Sequence, residues 1–358
     1  MIKTQKFRTE DITAHVDVAL ETYDRPEVID KEHLTWKHLD GPFGPSDAII
    51  LLDDKISGRL HGRSFIMPRP FVTNADKTIS AGTVADLVLR PESRNAGRLV
   101  AMVKATKELK TNDLVIHSSN EVSDIFYRKM FKFPVRFSLA SAGLPVRLKS
   151  YVLKSGKGAL LSHVADVALL PARTVMPFMR LLTEFATGLK LGDQPDQSEM
   201  EVIHEAHHAR TGPQFLRSAE YVEWRYLSGP ISHSDVVGLY KKGEGSLGYA
   251  AFRRVEIDGI KFCILMDLIT KRALSALELI AFKFAMIDRT REAGDDIAFV
   301  MFNPENLELA KLASFPFVSV PDSTLPHPTP IFLHQRNNVL SEEAAKTLFF
   351  MVGDLDYF

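Results

Sequence analysis

A twelve-residue pattern occurs twice in this chain, identical at six positions, and nothing else restricts its fold as much. Residues 36–47 read WKHLDGPFGPSD and residues 224–235 read WRYLSGPISHSD, at an offset of 188. The Trp, the Leu, the Gly-Pro pair and the Ser-Asp pair recur without a gap, and Trp36 and Trp224 are the only two tryptophans. The residues after each string are alike in character: AIILLDDKISGRLHG (48–62) and VVGLYKKGEGSLGYAAFRR (236–254) each predict a strand, a polar Gly-containing turn and a second strand. TVADLVLRP (83–91) then matches CILMDLITK (263–271), with Asp86 and Asp267 inside apolar strands that precede helical patterns. NDLVIHSSNEVSDIFYRKMFKFPVRFSL (112–139) matches DDIAFVMFNPENLELAKLASFPFVSV (295–320): a strand, an Asn-bearing turn, a short amphipathic helix, and a final strand marked by Phe-Pro. The chain is therefore read as a duplication.

Each copy predicts helices, a β-meander, then strand, helix, strand, helix, strand. The class is mixed α/β (α+β), with units at 1–150 and 195–358 joined by a helical linker at 151–194. The stretch MPRPFVTNADKTISAG (67–82) has a shorter counterpart in the second copy, and its Pro and Gly predict a flexible, exposed excursion. Residues 158–188 are apolar and helical in pattern, interrupted by Pro171 and Pro177. With Arg173 and Arg180 beside large apolar residues, the segment has the composition of a membrane-surface helix as well as that of a linker.

Composition narrows the function classes. Lys+Arg number 44 against 45 Asp+Glu, so no excess of cations exists to grip a nucleic-acid backbone. One cysteine, Cys263, excludes an intrachain disulfide and a cysteine-based zinc site, and fits a reducing compartment. The polar N-terminus, MIKTQKFRTEDIT, carries no secretory signal, and no apolar run reaches the ~18 residues of a membrane span. A cytoplasmic protein is expected.

The chemistry-bearing stretch is ADLVLRPESRNAGRLVAMVKATKEL (85–109). A strand ends at Pro91, a polar turn comes next, and a helix begins at the small pair Ala96 and Gly97. Free backbone N–H groups and the positive end of a helix dipole suit an anion there, and Arg94 and Arg98 add donors matched to phosphate.

This string, followed one element later by HSSNEVSDIFYRKMFKF (117–133), resembles the GCN5-related N-acetyltransferase superfamily. In that family an (Arg/Gln)-x-x-Gly-x-(Gly/Ala) loop after a strand and a Pro-Glu pair holds the acyl-CoA pyrophosphate. Arg94, Gly97 and Leu99 occupy the motif positions, with Leu99 where the family has a small residue; Asn95, Ala96 and Arg98 complete the loop. The resemblance implies that Leu87, Val88 and Leu89 present a strand edge to the pantetheine amides, and that Asn120 contacts the cofactor or caps the next helix. It implies acetyl-CoA or another acyl-CoA as the donor, no metal, and a small-molecule amine or amino sugar as acceptor. Tyr127 matches the family position that protonates the departing thiolate. Asp86 is the expected acceptor-binding group or base, and His117 the alternative base. Two further readings share the fold: an enzyme taking its acyl group from an acyl carrier protein or a long-chain thioester to make an N-acyl amino acid, and a non-catalytic acyl-CoA-binding scaffold.

The second copy has no Gly at the helix start and no Arg-x-x-Gly, and the Tyr127 position falls near Leu309 or Ala310. It is read as a degenerate half. Residues 204–208, HEAHH, satisfy His-Glu-x-x-His through His204, Glu205 and His208, but no third His lies at the metzincin spacing, so the segment is read as a polar, His-rich helix.

Overall fold

Apolar β-branched runs separated by short polar turns zip into sheets because each strand satisfies its neighbour's backbone while burying one or both faces. In the computed structural model, which describes residues 1–22, 30–53, 59–73, 77–119, 121–154, 169–230, 234–321 and 329–355, these runs build two seven-stranded mixed sheets. The chain divides into two compact units. The first is Met1–Ser138 with Pro213–Ser232 and Thr329–Lys346; the second is Leu139–Gly212 with His233–Pro328 and Thr347–Phe358. Each half of the repeat thus contributes segments to both units, whereas the boundaries read from the sequence keep to chain order.

The first sheet runs β1 (Ile2–Lys6), β2 (Asp47–Leu52), β3 (Leu60–Pro68), β6 (Ala81–Leu89), β7 (Leu114–Ser118), β17 (Pro330–Gln335) and β8 (Val135–Ser138). The second runs β10 (Leu189–Gly192), β12 (Ser234–Lys241), β13 (Gly245–Ile257), β14 (Ile260–Thr270), β15 (Ile297–Phe302), β9 (Ala140–Pro145) and β16 (Val318–Val320). The two orders are the same order, position for position, which is the duplication in three dimensions. In each sheet the sixth place is taken by a strand from the other half of the repeat. That exchange is why contiguous chain segments do not coincide with the compact units.

Within each sheet one pair is parallel. β6 pairs with β7 through only Ala81, Gly82 and Thr83, and β14 with β15 through Phe262 to Leu265. Beyond those residues the strands part. Close approach at the neighbouring meander is marked in both copies by a glycine: a Cβ on Gly62 would lie 2.8 Å from the Val88 carbonyl oxygen, and one on Gly248 2.2 Å from that of Ile269.

Three helices matter to the site: α1 (Ile12–Leu20), α2 (Lys31–His38) and α3 (Ala96–Glu108). The side of the first sheet facing α1 and α2 packs Phe7, Val16, Leu34, Phe65, Ala85 and Val88; Met102 of α3 packs with Ile49, Leu51 and Ile66. Trp36 and Trp224, the repeat's signature pair, meet in the first unit. Their rings stack at 5.1 Å, and each indole N–H donates to the other's backbone carbonyl, at 3.0 and 2.9 Å.

Two expectations are corrected. The described residues of 67–82, 67–73 and 77–82, are not an exposed excursion: β4 (Phe71–Val72) and β5 (Thr78–Ile79) form a small sheet with β11 (Gln214–Phe215), burying Phe71, Val72 and Ile79. The apolar faces of these short strands outweigh the Pro and Gly signals. Nor does proline interrupt the linker helix, which runs unbroken from Leu170 to Thr187 with Pro171 in its first turn, where no amide partner is lost, and Pro177 inside. Residues 155–168 lie outside the described residues. Among the described residues no helix is long and apolar enough to cross a membrane.

Candidate active site

β3 and β6 hold the centre of the site through a bulge. Arg63 faces Val88 and Phe65 faces Ala85, so Asp86 and Leu87 together oppose one residue. Asp86, one of the two bulged residues, takes the left-handed conformation, φ 48°. Its carboxylate turns onto the last turn of α2. Lys37 Nζ donates to one oxygen at 3.0 Å and His38 Nε2 bonds the other at 2.9 Å. His38 lies against Phe65 at 3.8 Å between centroids, and its Nδ1 meets Ser46 Oγ at 3.0 Å. Burial alone would raise the Asp86 pKa, but the Lys37 ammonium, the His38 bond and the Arg63 charge together hold it well below the usual carboxylate range. Asp86 is therefore held as a carboxylate at neutral pH and is already bound to two partners. Sequence reading missed Lys37 and His38, because a Lys-His pair at the end of an amphipathic helix carries no pattern of its own.

Where β6 and β7 part, Val84 and His117 are the first residues beyond the paired segment. They line a small cavity of about 10 Å³ with Tyr127, Val103, Thr106 and Phe133, among others. His117 is 4% exposed, and among the described residues neither of its ring nitrogens has a hydrogen-bond partner. Burial, reinforced by His334, pushes its pKa down to about 3, so the imidazole is neutral. Tyr127 lies on a π-helical turn, Phe126–Met130, with its ring 4.3 Å from that of His117. Burial pushes its phenol up to about 12. The structure brings Tyr127 and His117 together; Asp86 bonds on the α2 side. Asn120 lies outside the described residues.

The helix start at α3 arises from local capping. Arg90 is tied down through Nε to the Leu60 carbonyl at 2.6 Å and pairs with Glu21. Asn95, extended at φ −136°, caps α3 by accepting from the Arg98 amide at 2.9 Å. Asn95, Ala96 and Gly97 are exposed, and a Cβ on Gly97 would meet only the Asn95 side chain, at 3.5 Å. Gly97 is thus not needed by the protein's own packing. The exposed amides of Ala96 and Gly97, with Arg94 and Arg98 beside them, fit an anionic phosphate group. Leu87 and Leu89, half-buried on the α3 side, flank the unpaired stretch of β6, while Val88 is buried toward α1.

No protein-family model and no curated protein matches the chain. Solved structures do. A GCN5-related N-acetyltransferase from Anabaena variabilis aligns over 94% of this chain and 73% of its own, at 12% identity and a TM-score of 0.56. A probable N-acyltransferase of unknown function from Enterococcus faecalis aligns over 94% and 71%, at 12% identity and 0.52. Saccharomyces cerevisiae N-myristoyltransferase with bound myristoyl-CoA aligns over 93% and 82%, at 10% identity and 0.59. The chain has the GCN5-related N-acetyltransferase fold.

In the second unit of this N-acetyltransferase fold the corresponding places are filled by the protein itself. The helix after β14, Ala276–Ala293, is capped by Ser275 in a reciprocal box with Glu278. Glu278 is buried and takes a bidentate pair from Arg272 at 2.8 and 2.9 Å, plus Lys241 at 2.8 Å. A carboxylate of the chain thus neutralises the positive helix end that an anion would otherwise seek. Where β14 and β15 part, residues 348–355 are buried: Phe302 bridges to Met351, and the Asn303 amide donates to the Phe350 carbonyl at 2.9 Å. Leu309 and Ala310, where the Tyr127 position falls, are both apolar, and Leu309 is buried. His204 bonds Tyr249 at 2.9 Å and His207 the Thr270 carbonyl at 3.2 Å. Among the described residues no group of three side chains could hold a metal.

Proposed function

We propose that the first unit binds acyl-CoA and transfers its acyl group, acetyl, to the primary amine of a small molecule or amino sugar. The observation that carries this reading is an asymmetry. Both units have parted parallel strands and an exposed helix start, but only in the first is that start free of a capping carboxylate and flanked by Arg94 and Arg98, whereas in the second Glu278 occupies it. The pyrophosphate would rest on the amides of Ala96 and Gly97 with Arg94 and Arg98, and Leu87–Leu89 would run beside the pantetheine.

In direct attack the amine nitrogen bonds the thioester carbonyl carbon, the C–S bond breaks, and the amine's proton and the thiolate must both be served. A phenol held near 12 keeps its proton until a thiolate appears beside it. The thiolate, ordinarily the base of a thiol near pKa 8.5, becomes more basic in the same dry surroundings, so the two are brought closer. Tyr127 therefore suits the acid. His117, kept neutral by its burial, suits orientation of the amine better than acceptance of its proton. Asp86, bound to Lys37 and His38, suits electrostatic support of a cationic acceptor better than proton removal.

The test is calorimetric titration with CoA and acetyl-CoA, then steady-state kinetics on Tyr127→Phe. Binding should be nearly unchanged and turnover should fall by roughly 10²–10⁴. A Tyr127→Phe protein with wild-type turnover would remove the phenol from the mechanism.

A further inference from the structure

The turn that presents the α3 helix start is held by a hydrogen-bonded chain that no sequence pattern advertised. Ser93 Oγ lies 2.7 Å from His61 Nδ1, and His61 Nε2 lies 3.0 Å from Asp53 Oδ2. The consistent tautomer carries its proton on Nε2, donates it to Asp53, and accepts from the Ser93 hydroxyl at Nδ1. The order Asp-His-Ser is that of an activated serine, but Ser93 is 0% exposed and cannot meet a substrate. Its backbone is what matters. Ser93 N–H donates to the Arg90 carbonyl at 2.8 Å, and the Ser93 carbonyl accepts from the Asn95 amide at 2.9 Å. Asn95 is the cap that fixes the first turn of α3. The side-chain chain therefore runs from the end of β2, through β3, to the residue that sets where Ala96 and Gly97 begin.

The second unit lacks it at every position. Gly62 opposes Leu89 and Gly248 opposes Thr270, so His61 corresponds to Leu247, and Ser93 to Leu274. Both leucines are buried. Asp53, at the repeat offset of 188, corresponds to Lys241, which bonds Glu278. The unit whose helix end is occupied by Glu278 has two leucines and a lysine where the unit whose helix end is open has a polar relay. If the relay served only the fold, the copy that keeps the fold would not have dispensed with it.

We propose that Asp53, His61 and Ser93 are positioning residues that hold the α3 start in register for the phosphate groups of CoA. This rests on the reading of the first unit as an acyl-CoA site. A relay of this kind acts on donor affinity and leaves acceptor affinity alone. An Asn at position 61 places an acceptor near Nδ1 and preserves the Ser93 bond; a Gln reaches the Nε2 position and preserves only the Asp53 bond.

The experiment is calorimetric titration of CoA into wild type, Ser93→Ala, His61→Asn and His61→Gln, with steady-state kinetics varying donor and acceptor separately. Ser93→Ala and His61→Gln should bind CoA about tenfold more weakly, the worth of one such bond, with the KM for the acceptor unchanged. His61→Asn should stay within about threefold of wild type. Wild-type affinity in both Ser93→Ala and His61→Gln, or equal loss in His61→Asn and His61→Gln, would overturn the relay while leaving the acyl-CoA reading intact. A wild-type protein that binds no CoA would overturn that reading, and the relay's role with it.

Discussion

Replacing Trp36 with alanine tests the link between the repeat and the fold most directly. The indole is 8% exposed, stacked at 5.1 Å on Trp224, and its Nε1–H donates to the Trp224 carbonyl. An indole that buries about 200 Å² at about 25 cal/mol per Å² contributes roughly 5 kcal/mol, an upper figure because the unfolded chain already hides part of that area. Tryptophan truncations in cores cost about 3–5 kcal/mol, in agreement. Little is added by the orphaned acceptor, because the Trp224 carbonyl also receives the Ser228 hydroxyl at 3.2 Å. Trp36→Phe, which keeps a stacking ring but loses the N–H and part of the indole's buried area, should therefore cost less than Trp36→Ala. At about 2–4 °C per kcal/mol, Trp36→Ala should lower Tm by roughly 6–20 °C. Both tryptophans of the chain lie in the first unit, so intrinsic fluorescence tracks that unit's unfolding, and in the variant Trp224 remains as its reporter. The double variant should cost less than the two singles added, since each removes the other's partner. A Trp36→Ala protein melting within about 2 °C of wild type would refute the argument that the pair is structural.

Gly97→Val should leave Tm unchanged, because a side chain there meets only the Asn95 side chain, yet it should abolish measurable CoA binding in calorimetry by blocking approach to the amides. Asp86→Asn removes a carboxylate bonded to the buried Lys37 ammonium and to His38 and should destabilise the fold in denaturant unfolding at neutral pH, by about 1–3 kcal/mol for the charged hydrogen bonds lost. Because the folded Asp86 pKa is depressed, that stability is full above the ordinary carboxylate value and is lost as pH falls through the folded value, so the gap between wild type and Asp86→Asn should narrow in acid. His117 and His15 are both buried with pKa values lowered to about 3, so stability should fall as pH drops below the unfolded value near 6.5. His117→Phe should roughly halve that fall between pH 7.5 and pH 5, measured as the difference in Tm; an unaltered difference would show that His117 is not buried neutral.

The repeat, the alternation of its strands and the helix start at Ala96 and Gly97 were legible because they rest on local rules. Glycine at close approach, Asn at a cap, and apolar alternation act over a few residues and leave a pattern in the string. The two tryptophans announced a shared structural task for the same reason. What the string could not disclose was which strand closes which sheet. The Pro330–Gln335 and Ala140–Pro145 strands are equally apolar, and their exchange between the two sheets depends on packing partners far away in sequence. The same holds for the site. Asp86 was visible as a carboxylate in a strand, but its left-handed bulge, its bonds to Lys37 and His38 and its lowered pKa arise only when α2 docks beside β6. His117 was visible as a histidine at a strand end; that it is neutral and, among the described residues, without hydrogen-bond partners is decided by the Tyr127, Phe133 and Phe332 rings that enclose it. Ionisation and register are set by the dielectric and the neighbours that tertiary structure supplies, and neither has a counterpart in local spacing.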